Sequence, residues 1–532
     1  MANPHARDLV PSDIPSVPRV GPSVRVGRVG RVGPSVRDFL RVAAALLRPV
    51  DVAWLVAYRV LFGLCLGVSM QRFLAYGWVD ELLVSPRYRF HYWGFSWVEP
   101  LSRPSMHALF WTLSALGIAV ALGLAYRITA PLFALGLTYV QLIDVSTYLN
   151  HYYLAALLAW LLAVSPAARA YSCDAWIGKK LRAREWLGKT TEDEKSATAA
   201  FGWHALFRIQ IAIVYLCAAL AKAQPDWLLH GQPLGIWLGA RTDLPVLGRL
   251  FTLPGAPIAM SWAGFLFDAT IVFWLSWRRS RPYAYLAVVG FHVMTRAIFD
   301  IGMFPWIMTC SALLFFPESW PRDVASWLSA KLPRALALPR ARGEAAAPPE
   351  RVPVSTDGSG ISRARPSVPR VPFFGRIAVG LGALYVLVQV AMPLRTFLYG
   401  GNVLWHEQGM RFSWRVMVRA KGGATTFFVK NKHTGKLWLV SPRQYLTPYQ
   451  ENEMSSQPDL ILQLAHKIGE DYTLRDGPVE VRVEALVSLN ARPGASLVDP
   501  SVDLMTIEDG IGPATWILPA PSGPPPPTRP VL

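Results

Sequence analysis

Nine runs of predominantly apolar residues punctuate the chain, at roughly 52–76, 106–126, 130–148, 152–166, 205–222, 258–277, 283–300, 303–317 and 374–396. Most approach the roughly 20 residues that a helix needs to cross about 30 Å of hydrocarbon. In lipid each backbone N–H and C=O must find its partner inside the structure, so runs of this length read as helices. The runs at 152–166 and 303–317 are short and are expected to tilt, re-enter or lie under neighbours. The expected fold class is a polytopic α-helical membrane protein of about nine transmembrane helices with a C-terminal extracytoplasmic α+β domain. Composition agrees, since 52% of the 532 residues are hydrophobic and the mean hydropathy is +0.28, too apolar for a soluble enzyme of this length.

The net charge of +18 invites a nucleic-acid reading, but the placement of the charges argues against it. Basic residues fall mainly between the apolar runs, as the positive-inside rule requires, and no basic platform interleaved with aromatics stands out. Nine spans thread consistently. The N-terminal segment with its eight arginines, the "GKKLRAREWLGK" loop, "WRRSRP" at 277–282 and the Pro/Arg-rich linker all fall inside. The N-terminus is thus expected to be cytoplasmic and everything after about Leu398 outside, in a bacterial inner or plasma membrane. The expected plan is a disordered basic tail (1–48), a transmembrane domain (49–318), a basic Pro-rich cytoplasmic linker (319–372), a last transmembrane helix (373–398), an outer β-rich domain (399–515) and a Pro-rich tail (516–532). In the outer domain "RFSWRVMVRA", "TTFFVKNK", "KLWLVS" and "VEVRVEALVSLN" alternate like strands, "HTG" reads as a turn, and "DLILQLAHKI" has helical spacing. The four cysteines show neither a disulfide framework nor metal-ligand spacing, so no metal is expected.

Ionisable residues inside the runs are costly in lipid and mark polar sites. They include Arg59, Asp144, His151, Arg208, Lys222, Asp268, His292, Arg296 and Asp300. Arg208 can snorkel, Arg296 can pair with Asp300 four residues on, and Arg59 can pair with Asp268 or a carbonyl. Asn150-His151, Lys222, His292 and Asp300 all fall toward the outer side in the threading, which points to a shared outward-facing site. Lys222 ends the run "IVYLCAALAK" just before "AQPDW". It is either a snorkelling anchor or a base, since dry surroundings favour a neutral amine over an ammonium.

Several stretches resemble vitamin K-dependent γ-glutamyl carboxylase and its bacterial relatives with the horizontally transferred transmembrane domain. They are "VAYRVLFGLCLG" (56–67), "IDVSTYLNHYYLAALLAW" (143–160), "ALAKAQPDW" (219–227), "FHVMTRAIFDIGMFPW" (291–306) and "GNVLWHEQGMRFSWRVMV" (401–418). The resemblance spans about 50–318 and 375–515. It implies a catalytic role for Lys222, His151 and Asn150, and a quinone pocket that includes His292, Phe304, Trp405 and Met417. The implied cofactor is reduced vitamin K or a menaquinol-like hydroquinone, with O2 and CO2 as co-substrates. In the implied chemistry the lysine takes the hydroquinone proton, oxygenation drives the ring toward its epoxide, and the strong base so formed removes a γ-proton from glutamate. The implied partners are membrane lipid, the quinone and a glutamate-containing peptide or protein. The animal carboxylases carry a disulfide from the first outer loop to the lumenal domain, whereas here 77–105 and 397–532 contain no cysteine. The alternatives are a non-catalytic quinone-binding or electron-transfer protein, and a transporter or peptide-binding membrane protein.

Overall fold

The structure is a computed structural model that describes residues 36–184, 198–245, 247–331 and 371–527. The expectations for residues 1–35, for 185–197 of the basic loop, for 332–370 of the linker and for the last five residues lie outside the described residues. Each apolar run forms a helix. Among the described residues five helices are long and apolar enough to cross a membrane: Ala53–Ala75, Arg103–Leu122, Phe201–Lys222, Ala256–Ser276 and the helix beginning at Phe373. At 1.5 Å per residue the 23 residues of Ala53–Ala75 span about 34 Å. The remaining runs form Tyr126–Leu142, Asn150–Val164, Arg281–Ile298 and Phe304–Ala312, shorter or more polar. Proline stands in the first turn of four of these apolar-run helices, as Pro104, Pro257, Pro282 and Pro305, where its missing N–H has no intrahelical partner to lose.

The first two long helices pack through small residues. A Cβ at Gly63 would lie 2.6 Å from the Gly117 carbonyl oxygen, and one at Gly117 would lie 2.9 Å from Gly67 Cα, so the G-x-x-x-G spacing of 63 and 67 lets the two backbones touch. Arg59, one turn before Gly63, donates to the carbonyls of Ala167 (2.6 Å), Tyr171 (2.8 Å) and Ala121 (3.3 Å). Of the two partners open to it in the sequence, the carbonyls are the ones it takes. Arg296 lies 3.6 Å from Asp300, as its spacing suggested.

The C-terminal domain, expected to be the outer domain, is a four-stranded antiparallel sheet in the order Leu437–Val440, Lys421–Asn431, Val479–Leu489, Ala495–Ser496. The two long strands pair along their whole length, from Lys421 opposite Leu489 to Asn431 opposite Val479. Alternate residues Val479, Val481, Val483, Ala485, Val487 and Leu489 are buried, and the helix Pro458–Asp476 covers them with Leu460, Ile461, Leu464, Ala465 and Ile468. Asn431 accepts from the backbone N–H groups of His433 and Thr434, and Gly435 at φ 71° completes the turn.

Two expectations are corrected, and two further segments carry structure that the domain plan did not specify. "RFSWRVMVRA" is not a strand: Phe412, Trp414 and Met417 take φ values of 62°, 58° and 55°, which no extended ladder allows. Contacts with the helical domain outweigh its alternation. The Phe412 and Trp414 rings lie 4.8 and 5.0 Å from Tyr153, and the Phe412 N–H donates to the Tyr148 hydroxyl at 2.8 Å. The end of the tail expected to be disordered is a helix, Val36–Leu46, whose apolar residues recur at helical spacing, and the start of the linker is another, Trp320–Lys331. The Pro-rich tail is folded onto the outer domain through at least Leu518, because Trp516 is buried in its core and the Leu518 N–H donates to Leu497 O at 2.9 Å.

The outer domain is fastened to the helices by buried polar contacts. Asp226, four residues past the end of the Phe201–Lys222 helix, receives both Arg492 Nη1 (2.6 Å) and Nη2 (2.7 Å), and Asn490 Nδ2 at 2.8 Å. Asp144, one of the ionisable residues singled out in the sequence, caps Val145–Thr147 and accepts from Gln450 Nε2 at 2.8 Å. Burial pushes the Asp226 carboxyl up, but the hydrogen bonds from Arg492 and Asn490 outweigh it and hold the group below the usual carboxylate range. A depressed folded-state pKa gives stability that is present above the unfolded value of about 3.9 and is lost as pH falls through the folded one. Arg492→Met is therefore expected to cost about 3–5 kcal/mol at neutral pH, by leaving a buried charge unpaired. In thermal melts the gap between wild type and variant should close as the pH falls below about 4. A gap that stays constant from neutral to acid pH would show that the pair does not fasten the domain.

Candidate functional site

Lys222 is the last residue of the Phe201–Lys222 helix, where a cation suits the helix dipole. The chain leaves the helix at Ala223, and Pro225 starts the next short helix, Pro225–Leu228. The ammonium does not snorkel. Lys222 is 7% exposed, and its Nζ lies 2.7 Å from Asp268 Oδ2, on the helix Ala256–Ser276, and 5.3 Å from the ring centre of Trp227. Asp268 is likewise buried. Two opposite charges this dry hold only if well matched, and a 2.7 Å contact is well matched.

The pair faces a cavity of about 370 Å³ whose walls are Trp227, Trp237, Phe267, Phe291, Phe299 and Phe304, with Met417 and Val416 reaching in from the irregular 411–420 segment. Phe267 and Phe291 stack with ring centres 4.0 Å apart. The remaining polar groups are few. Tyr215, seven residues before Lys222 and so on the same helix face, has its hydroxyl 3.3 Å from His292 Nε2. His292 Nδ1 is buried and has no partner among the described residues. An apolar, aromatic chamber with a few convergent polar groups is the usual form of a small-molecule site.

A second cavity, about 540 Å³, adjoins the first. Asn150 and His151 line it, at the start of the helix Asn150–Val164. His151 is buried with its Nε2 unpartnered, and a Cβ on Gly302 would sit 3.4 Å from that nitrogen. Gly302 has φ 58°, so glycine serves both the turn and the close approach. Asn150 Oδ1 accepts from the Tyr148 hydroxyl at 3.0 Å. Ile301, Phe304, Val416 and Met417 line both cavities and form the wall between them. The Phe304 ring lies 6.3 Å from His151 and 5.8 Å from His292.

Of the residues singled out in the sequence, Lys222, His292, Phe304 and Met417 line the first cavity, and Asn150 and His151 the second. Trp405 lines neither. It is buried in the outer-domain core with its indole N–H donating to Leu518 O at 2.8 Å. Sequence reasoning missed Asp268 as the partner of Lys222, and it missed Tyr215, although the seven-residue spacing from Lys222 was a usable signal. It also missed Val416 and Arg415, hidden in a segment read as a strand.

Two family profiles match the chain. The HTTM domain covers residues 47–320, about half of the chain, and the vitamin K-dependent gamma-carboxylase, lumenal domain covers residues 375–523. No solved structure matches it.

The buried pair makes a stability prediction of its own. Lys222→Met or Asp268→Leu alone should destabilise the protein by about 3–5 kcal/mol, because each leaves one charge unpaired in an apolar chamber. The double variant Lys222→Met/Asp268→Leu should recover most of that loss, read as melting temperature in detergent. Additive losses would mean that the two side chains are not coupled.

Proposed function

We propose that this chain, which belongs to the vitamin K-dependent γ-carboxylase family, is an integral membrane quinol oxygenase and γ-glutamyl carboxylase with Lys222 as the base for the hydroquinone. The family carries out vitamin K-dependent carboxylation, and its lumenal-domain profile implies a vitamin K hydroquinone and glutamate-containing substrates. The observation that carries the finer reading is a buried lysine, hydrogen-bonded to Asp268, facing an aromatic chamber beside an unpartnered His292 nitrogen.

The residues present fit a hydroquinone. The chamber volume of about 370 Å³ and its stacked phenylalanines suit a flat apolar ring, and its polar groups are those that a phenolic hydroxyl needs. When bound with dioxygen, the hydroquinone supplies the strong base that abstracts a γ-proton from glutamate. Lys222 passes a proton along its 2.7 Å bond to Asp268, and the neutral amine then accepts a hydroxyl proton from the ring. Asp268 thereby stores the displaced proton and keeps the amine oriented. A Tyr215 hydroxyl that donates to His292 Nε2 leaves the imidazole proton on Nδ1, free to bond a ring oxygen. Phe267, Phe291 and Phe304 exclude water from these transfers. His151, across the shared wall, is placed to orient groups on the far side.

The same reading threads all nine apolar helices through a bilayer, with the short ones Asn150–Val164 and Phe304–Phe315 covered by neighbours. The N-terminus then lies in the cytoplasm and the sheet domain outside. A cysteine placed by His433→Cys in the exposed turn should react with an impermeant maleimide in intact cells. Reaction only after lysis would reverse the topology.

The function itself is tested with purified protein, reduced vitamin K and oxygen, following epoxide, and with a glutamyl peptide and labelled bicarbonate, following carboxylate. Wild type should form both products. Lys222→Arg and Lys222→Ala should each lose about 10²-fold or more of the epoxide rate at matched folding, because a guanidinium stays protonated and alanine has no base. Near-normal epoxidation by Lys222→Arg would remove the base assignment.

A further inference from the structure

Among the described residues Arg415 has no counter-ion. Its Nη2 donates to Thr396 Oγ1 at 3.2 Å, its Nε is buried with no partner, and among the described residues no carboxylate pairs with it. Glu81 lines the same cavity and, among the described residues, makes no ion pair with Arg415, while other acids nearby are held elsewhere. Asp226 is held by Arg492 and Asn490, Glu407 by Arg419 and Lys421, and Asp300 lies against Arg296. A half-buried guanidinium left uncompensated is costly, and a ligand anion that relieves it binds correspondingly well.

The position of this cation is specific. Arg415 lines the His151 cavity and also a separate groove of about 680 Å³ on the outer side, between the end of the Lys222 helix and the sheet domain. Gln224, His230, Asn402 and Val403 form part of that groove. The next two residues, Val416 and Met417, are the wall shared with the Lys222 cavity. Arg415 therefore stands where this groove meets the His151 cavity, next in the chain to the wall of the Lys222 chamber. The groove is larger than one side chain needs, which leaves room for flanking peptide backbone, and a guanidinium fork matches a carboxylate with two parallel hydrogen bonds.

Resting on the carboxylase reading for the identity of the peptide, we infer that Arg415 binds the side-chain carboxylate of a glutamyl peptide entering through this outer groove, and so positions it against the Val416–Met417 wall. Arg415 is a substrate-binding residue, distinct from the base.

The test is equilibrium binding to the full-length protein in nanodiscs, with a short peptide bearing one glutamate, its glutamine counterpart and free glutarate as probes. Wild type should bind the glutamate peptide about tenfold or more tightly than the glutamine peptide, the scale of one charge-assisted contact. Arg415→Gln should abolish that preference, and Arg415→Lys should keep part of it, both at unchanged melting temperature. In turnover with peptide, Arg415→Gln should raise KM for the glutamyl peptide more than it lowers kcat. Retention of the full preference by Arg415→Gln would overturn the inference. Glutarate that binds as tightly as the peptide would overturn the peptide part of it. A wild type that forms no epoxide yet shows the Arg415-dependent preference would remove the enzyme reading and leave the carboxylate site standing.

Discussion

The contact between Lys222 Nζ and Asp268 Oδ2, 2.7 Å long and shut away from water, is the constraint on which the rest of the site depends. Two charges in an apolar helical core are tolerated because each satisfies the other. Neither can move without stranding its partner, so the pair fixes the end of the Phe201–Lys222 helix against the middle of Ala256–Ser276. The aromatic rings then have a fixed polar edge to surround. With few polar groups beyond Lys222, Asp268, Tyr215 and His292, the chamber is apolar except along one polar edge, as the proposed hydroquinone reading requires.

The same few residues tie the chamber to the outer domain. Lys222 faces inward, while Asp226 one turn later is gripped by Arg492 and Asn490 of the sheet domain. From the other side the 411–420 segment dips back to the helices, with Phe412 and Trp414 packed on Tyr153 and Val416 and Met417 forming the partition. Left-handed backbone at Phe412, Trp414 and Met417 is the cost of presenting those side chains, and such local strain persists only where the surroundings fix it. The outer domain thus builds part of the inner site instead of merely covering it.

Much of this was legible in the chain. Apolar run length located the five long apolar helices among the described residues, because lipid leaves the backbone no alternative. Alternation located the paired strands of the sheet, where one face is buried and the other is not. The family motifs led to Lys222, His292, Phe304, Met417, Asn150 and His151. What remained hidden was pairing across distance. Nothing local says that Asp268, 46 residues away, takes Lys222, or that Arg59 prefers three carbonyls. The 411–420 segment has strand-like alternation, yet its aromatic rings gain more from the helical core than its backbone would from a ladder. Trp405 looked like a pocket residue through its motif, but its indole is used in the outer-domain core. The Val36–Leu46 helix was masked by the low-complexity sequence before it.

The central claim is that a hydroquinone ring occupies the Lys222 chamber. The most direct measurement is an electron cryo-microscopy map of the protein in nanodiscs with reduced vitamin K under anaerobic conditions. Ring density between Phe267 and Met417, with one ring oxygen within hydrogen-bond distance of Lys222 Nζ and the other polar edge toward His292, is the expected result. Density only on the lipid-facing surface or in the outer groove, with the Lys222–Asp268 chamber empty, would contradict it.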